Sequence, residues 1–173
     1  DAFANSHRAH ASMSAIKSYL PAFAGLLLEE ELKNMQAVLK PKKPLVVILG
    51  GAKINTKIQM VNKFKNSAHK ILVGGALANN FLQDKVYEVR KSLVDEASIK
   101  FAKKYKKNNL LLPIDVVVAS GIKSAKGRVK KIKAVDKDEH IFDIGPETLK
   151  LYSSVINKAE TIIWNGPQGF YEA

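Results

Sequence analysis

The stretch Leu45-Val46-Val47-Ile48-Leu49-Gly50-Gly51 restricts the fold of this chain more than any other. Five consecutive apolar residues are the length of a strand, and without a polar alternation both faces of that strand must be covered. Two glycines then break the run, and a helical pattern follows over Asn55–Phe64. The same alternation recurs along the chain. Lys70–Val73 reads as a strand that turns at Gly74-Gly75 into a helix near Leu77–Gln83. Val94–Lys106 is amphipathic and helical, and Leu110–Leu112 and Ile114–Ala119 give strand signal around Pro113. Arg128–Val135 alternates as a half-exposed strand would, Glu147–Asn157 is helical, and Thr161–Trp164 is a further strand. Ser120–Gly127 and Asp136–His140 read as exposed loops. Strands of this type alternating with helices predict an α/β fold, a Rossmann-like parallel sheet with helices on both faces. Upstream, Phe23 to about Lys40 carries Ala24, Leu28, Leu32, Met35 and Leu39 on one helical stripe, stopped by Pro41 and Pro44.

Composition excludes several classes. The 173 residues, 46% hydrophobic, suffice for an ordinary domain core. No apolar run approaches the ~18–20 residues that cross a bilayer, and the first ten residues do not read as a secretory leader. With no cysteine there are no disulfides or thiolate metal sites, which is compatible with a cytoplasmic location. The net charge of +12 attracts polyanions in general. Only Arg8, Arg90 and Arg128 are arginines, whereas readers of nucleic-acid bases favour arginine. No nucleic-acid motif accompanies the charge, so no dedicated nucleic-acid partner is predicted.

The chemistry concentrates where strands end. Gly50-Gly51-Ala52-Lys53 is followed by Lys57, one helical turn on. A helix start exposes unpaired N–H groups and the positive end of the dipole, and two ammonium groups there suit a phosphate. The alternative is a plain glycine turn with solvated lysines, and the segment is not a P-loop. Gly74 and Gly75 would let a flat ring approach the backbone, or simply form a tight strand-to-helix turn. Trp164-Asn165-Gly166-Pro167 ends another strand, as a ligand-binding rim or as an ordinary Gly-Pro turn. His7-Arg8-Ala9-His10 has a His-x-x-His spacing, but no third ligand stands nearby in sequence, so no metal site is predicted.

Three stretches, in this order, resemble the phosphoglycerate kinase family: the opening Asp1–Ser12, Gly50–Lys57, and Ile162–Glu172. Gly74–Ala78, Leu112–Ala119 and Asp143–Thr148 fit the same pattern. The resemblance runs end to end along the chain and covers less than half of that family's usual length, so the chain reads as a fragment of a two-domain kinase. It implies that residues 1–20 end an N-terminal acid-substrate domain, that 21–40 form an interdomain helix, and that 41–173 make an incomplete nucleotide-binding domain. Implied too is phosphoryl transfer between 1,3-bisphosphoglycerate and ADP, giving 3-phosphoglycerate and ATP.

By the same resemblance, Lys57 and Lys53 contact the nucleotide phosphates and the transferred group. Gly74, Gly75, Asn165, Gly166, Pro167 and Glu172 hold the nucleotide, and Arg8, with His7 and His10, binds the acid substrate. Ala76 stands where the family usually has a third glycine. Asn5 and Ser6 replace its commoner Thr-Ala. Magnesium is expected with the nucleotide, its associated aspartate lying outside these residues. The fragment is expected not to turn over alone, and the full-length protein to be monomeric. Three other readings are a nucleotide-binding module without this reaction, a charge-driven nucleic-acid binder, and a purely structural scaffold.

Overall fold

A computed structural model describes residues 2–84, 89, 91–122 and 127–171. The chain divides into two compact units, Asp1–Lys42 and Lys43–Ala173. The residues of both expected upstream segments, 1–20 and 21–40, fall in the first unit.

The first unit contains two short 3-10 turns, Phe3–Asn5 and Ala15–Ser18, and one helix, α1 (Leu26–Leu39). The helix starts three residues later than its apolar stripe suggests, because Gly25 adopts an extended conformation and serves as N-cap. Glu29 and Lys33, one turn apart, form an ion pair of 2.7 Å along its surface. Among the described residues of this unit none is buried.

The second unit is built on a four-stranded, all-parallel sheet. Its strands are β1 (Leu45–Leu49), β2 (Lys70–Val73), β3 (Leu110–Leu111) and β7 (Thr161–Asn165), in the order β3-β2-β1-β7. Between them run α2 (Ile54–Phe64), α3 (Gly75–Asp84), α4 (Glu96–Lys104) and α5 (Pro146–Ile156). All five residues of β1 are buried. Val46 and Ile48 pack with Leu72 and with Tyr152, Leu151, Val155 and Ile156 of α5. Leu45, Val47 and Leu49 project to the opposite face, where α2 lies against β1. Burying side chains of this kind stabilises by about 1.5–3 kcal/mol each, so β1 is a rigid foundation for the turn that follows it.

The parallel sheet accounts for only four of the strands. β4 (Asp115–Ala119), β5 (Arg128–Lys131) and β6 (His140–Ile144) form a separate antiparallel sheet in the order β5-β4-β6. Every residue of β6 is half-buried, so it lacks the apolar run that announces a buried strand. The predicted strand at Arg128–Val135 stops at Lys131 and gives way to a 3-10 turn, Ile132–Ala134. Nor is Asp136–His140 simply an exposed loop, since Glu139 is buried between Arg128 and Lys130, at 2.6 and 2.9 Å.

Two sequence segments are tied together at the foot of α5. That helix has Gly145 as N-cap and no capping side chain of its own. Asp115, from β4, supplies the cap by accepting from the Glu147 and Thr148 N–H groups at 3.0 and 2.7 Å. The Thr148 hydroxyl accepts from the Asp115 N–H at 3.1 Å. A side chain at Gly145 would strike the Asp115 carboxylate. Burial would raise the Asp115 pKa, but the hydrogen bonds from Thr148 and Glu147 and the charge of Lys131 outweigh it and hold the group below the ordinary carboxylate value.

Candidate functional site

Register aligns the three turns that sequence singled out. In the parallel sheet Leu49 stands opposite Val73 on one side and Asn165 on the other. Gly50, Gly74 and Gly166 are the next residues of three adjacent strands, side by side at the carboxyl edge. The Gly50 N–H donates to the Asn165 carbonyl at 3.1 Å, the Gly74 N–H to Leu49 at 3.0 Å, and the Gly75 N–H to Gln168 at 2.6 Å. Asn165 and Pro167 are exposed at this edge, with Gly166 half-buried between them.

Close approach explains the glycines. A Cβ on Gly50 would overlap the Pro167 carbonyl oxygen, and one on Gly166 the Gly50 carbonyl oxygen. Gly51, Gly75 and Gly166 also adopt positive φ values of 93°, 57° and 87°. The space above Gly74, read from sequence as room for a ring, is occupied by the side chain of Gln168. Gly75 and Ala76 instead line an adjoining cavity.

The helix that starts beside these turns is electrostatically unusual. α2 has Lys53 as N-cap, no side chain capping its first N–H groups, and no acidic residue in its first turn. Acidic residues normally occupy this position because the helix dipole is positive there. Here Lys53 is exposed and Lys57 half-buried, and the Lys57 Cε lies 3.4 Å from where a Cβ on Gly166 would stand. Lys57 thus reaches from α2 over the turn after β7. Burial, and then the charge of Lys53, lower its pKa below the ordinary lysine value. A helix start without a side-chain cap, a positive dipole end and two lysines with no acidic partner among the described residues are the features that suit an anion.

Beside it opens a cavity of about 680 Å³, within the range of small-molecule sites. Gly51, Ala52, Gly75 and Pro167 form the end nearest the lysines. Leu93, Ile122, Phe142 and Phe170 give apolar walls, and Asn79, Ser92 and His140 a polar stretch. An anion site opening onto a largely apolar slot of this size suits a nucleotide, phosphates at one end and base in the slot.

Sequence reasoning missed the slot. His140, Asn79, Gln168 and the apolar wall residues are given no role by the motifs described above. Asn79 lies one helical turn beyond Gly75 and could have been found from that spacing. The wall residues come from separate loops and from the antiparallel sheet, and no local pattern joins them. Glu172 lies outside the described residues. Arg8, His7 and His10 belong to the first unit, where all three are exposed. Among the described residues no group of three or more acidic or histidine side chains could hold a metal ion. No helix among them is long and apolar enough to cross a membrane.

Comparison with known proteins agrees with this geometry. The family model for phosphoglycerate kinase matches residues 1–173. Phosphoglycerate kinases of Roseiflexus sp. (strain RS-1) and Dictyoglomus turgidum are 40% and 41% identical to the chain, covering 99% of it and 46% of their own length. The solved phosphoglycerate kinase from Coxiella burnetii superposes with a TM-score of 0.87 at 40% identity, covering 99% of this chain and 46% of that one. The one from Pyrococcus horikoshii gives 0.85 at 26% identity. The chain therefore spans a little under half the length of the relatives it matches.

Proposed function

The chain belongs to the phosphoglycerate kinase family, and from that premise we propose that it supplies the nucleotide half of a phosphotransferase acting between 1,3-bisphosphoglycerate and ADP. One observation carries the reading. Three glycine turns in register at the carboxyl edge of a parallel sheet meet the uncapped, doubly cationic start of α2 beside a slot of nucleotide size.

The reaction needs no nucleophilic side chain, because the terminal oxygen of ADP attacks phosphorus and the acyl carboxylate leaves. Catalysis then reduces to alignment and to neutralising charge on the phosphoryl group in transit. In the proposal Lys57 neutralises the transferred group and Lys53 the adjoining phosphates. The N–H groups at the start of α2 and the turn Asn165-Gly166-Pro167 orient the phosphate chain, while Gly75 and Gly51 admit the base and ribose. Glu172 is proposed as a ribose contact. Magnesium is proposed to accompany the nucleotide, with its associated aspartate outside these residues.

Arg8 is proposed to bind the acid substrate by a bidentate guanidinium contact, with His7 and His10 beside it. The 21–40 segment is proposed as the interdomain helix, and the protein as cytoplasmic and monomeric at full length. The full-length gene product carrying this chain, assayed for ATP-dependent phosphorylation of 3-phosphoglycerate, tests the reading. It predicts turnover that falls about 100- to 1,000-fold in Lys57→Ala. Absence of turnover in the unaltered full-length protein overturns it.

A further inference from the structure

Gln168 follows Pro167 in the turn after β7, and its side chain packs against two other turns at once. A Cβ on Gly74 would stand 2.5 Å from the Gln168 Oε1, and one on Gly50 2.8 Å from its Nε2. One side chain therefore abuts both the turn after β1 and the turn after β2. Its backbone carbonyl accepts from the Gly75 N–H at 2.6 Å, and the Pro167 carbonyl lies against Gly50. Gly51 and Gly75, the residues next to these contacts, line the cavity, as do Pro167 and Gly169 on either side of Gln168. Both amide atoms of Gln168 are buried, with no hydrogen-bond partner among the described residues. What this side chain supplies is length and volume.

Resting on the nucleotide reading above, we propose that Gln168 is a positioning residue, a spacer that sets the separation of the Gly50-Gly51 and Gly74-Gly75 turns. Protein interiors are packed with few voids, and a truncated side chain leaves a gap that its neighbours only partly close. Gly50 and Gly74 have no side chains with which to fill such a gap, so without Gln168 the two turns shift. Gly51 leads to Lys53 and the start of α2, whereas Gly75 begins α3. A shift at either turn moves the phosphate end of the site relative to the slot. Phosphoryl transfer depends on alignment, so the nucleotide feels this displacement. The proposed acid-substrate residues Arg8, His7 and His10 belong to the other unit.

The test separates length from amide chemistry in the full-length gene product, assayed for ATP-dependent phosphorylation of 3-phosphoglycerate. Gln168→Ala should raise the KM for ATP about tenfold and leave that for 3-phosphoglycerate within about twofold. Gln168→Met keeps the length without the amide and should retain the unaltered KM for ATP. It should also unfold at an equal or higher urea concentration, because it removes two unpaired buried polar atoms. Gln168→Asn keeps the amide on a shorter chain and should raise the KM for ATP. A side chain that served stability alone would change the amount of folded enzyme and leave both KM values in place. An unchanged KM for ATP in Gln168→Ala overturns the assignment, and so does a raised KM in Gln168→Met with a normal one in Gln168→Asn. If Gln168→Ala does not fold, the Met and Asn variants decide alone. Absence of turnover in the unaltered protein would instead overturn the nucleotide reading, and this inference with it.

Discussion

A lysine packed over a glycine turn, one helical turn from another lysine and at the positive end of a helix, holds its proton less firmly than a solvated one. Lys57 is in that position, with burial as the larger cause and Lys53 as the second. A bound polyphosphate favours the charged form and raises the pKa, so binding and protonation are linked. The sign follows: affinity is full where Lys57 is charged in the free protein and falls as pH rises through its lowered value. Nucleotide affinity should therefore decline at a pH below the ordinary lysine value of 10.5, and Lys57→Arg should remove that early decline. Titration calorimetry across the alkaline range checks this. Gly166 carries a second prediction. Its φ of 87° and its contact with the Gly50 carbonyl leave no room for a methyl group. Gly166→Ala should cost about 1–3 kcal/mol in denaturant unfolding and weaken nucleotide binding as the two turns separate.

Helix α5 shows how elements fix the rim without touching a ligand. The Tyr152 hydroxyl lies 2.8 Å from the Val73 carbonyl and 3.0 Å from that of Leu111, so α5 pins the last residue of β2 and, through it, the Gly74 turn. Tyr152→Phe removes the single hydroxyl proton that the two carbonyls share and should lower stability by about 1 kcal/mol with little change in the fold, read from urea midpoints. The Asp115 cap makes a pH-dependent contribution at the other end of the same helix. Its folded pKa is depressed, so its stabilisation is present above the ordinary value of 3.8 and lost as pH falls through the lowered one. Asp115→Asn should cost about 2 kcal/mol at neutral pH and flatten the acid limb of the stability profile. Within the segments Leu112–Ala119 and Asp143–Thr148, Asp115, Gly145 and Thr148 are explained by this cap.

For the molecule as a whole, legibility tracked how local the information was. Leu45–Leu49 and Lys70–Val73 are buried on both faces, so their apolar runs marked them to the residue. Gly50, Gly74 and Gly166 were visible because each directly follows such a run. The β6 strand was not, since a half-buried antiparallel strand pairs mixed residues and leaves no run to read. The slot was hidden for a deeper reason: Ser92, Ile122, His140 and Phe170 come together only through the fold. Gln168 shows the same limit, because its polar side chain fills the gap above Gly74 with both amide atoms buried and unpaired. The central claim is that fixed positive charge at the carboxyl edge of one parallel sheet holds a polyphosphate. Calorimetric titration of the full-length gene product and its Lys57→Ala variant with ATP and with adenosine tests it most directly. The account predicts that the variant loses ATP affinity about 30-fold or more while binding adenosine unchanged. Equal affinities of the two proteins for ATP, or an equal loss for ATP and adenosine, would contradict it.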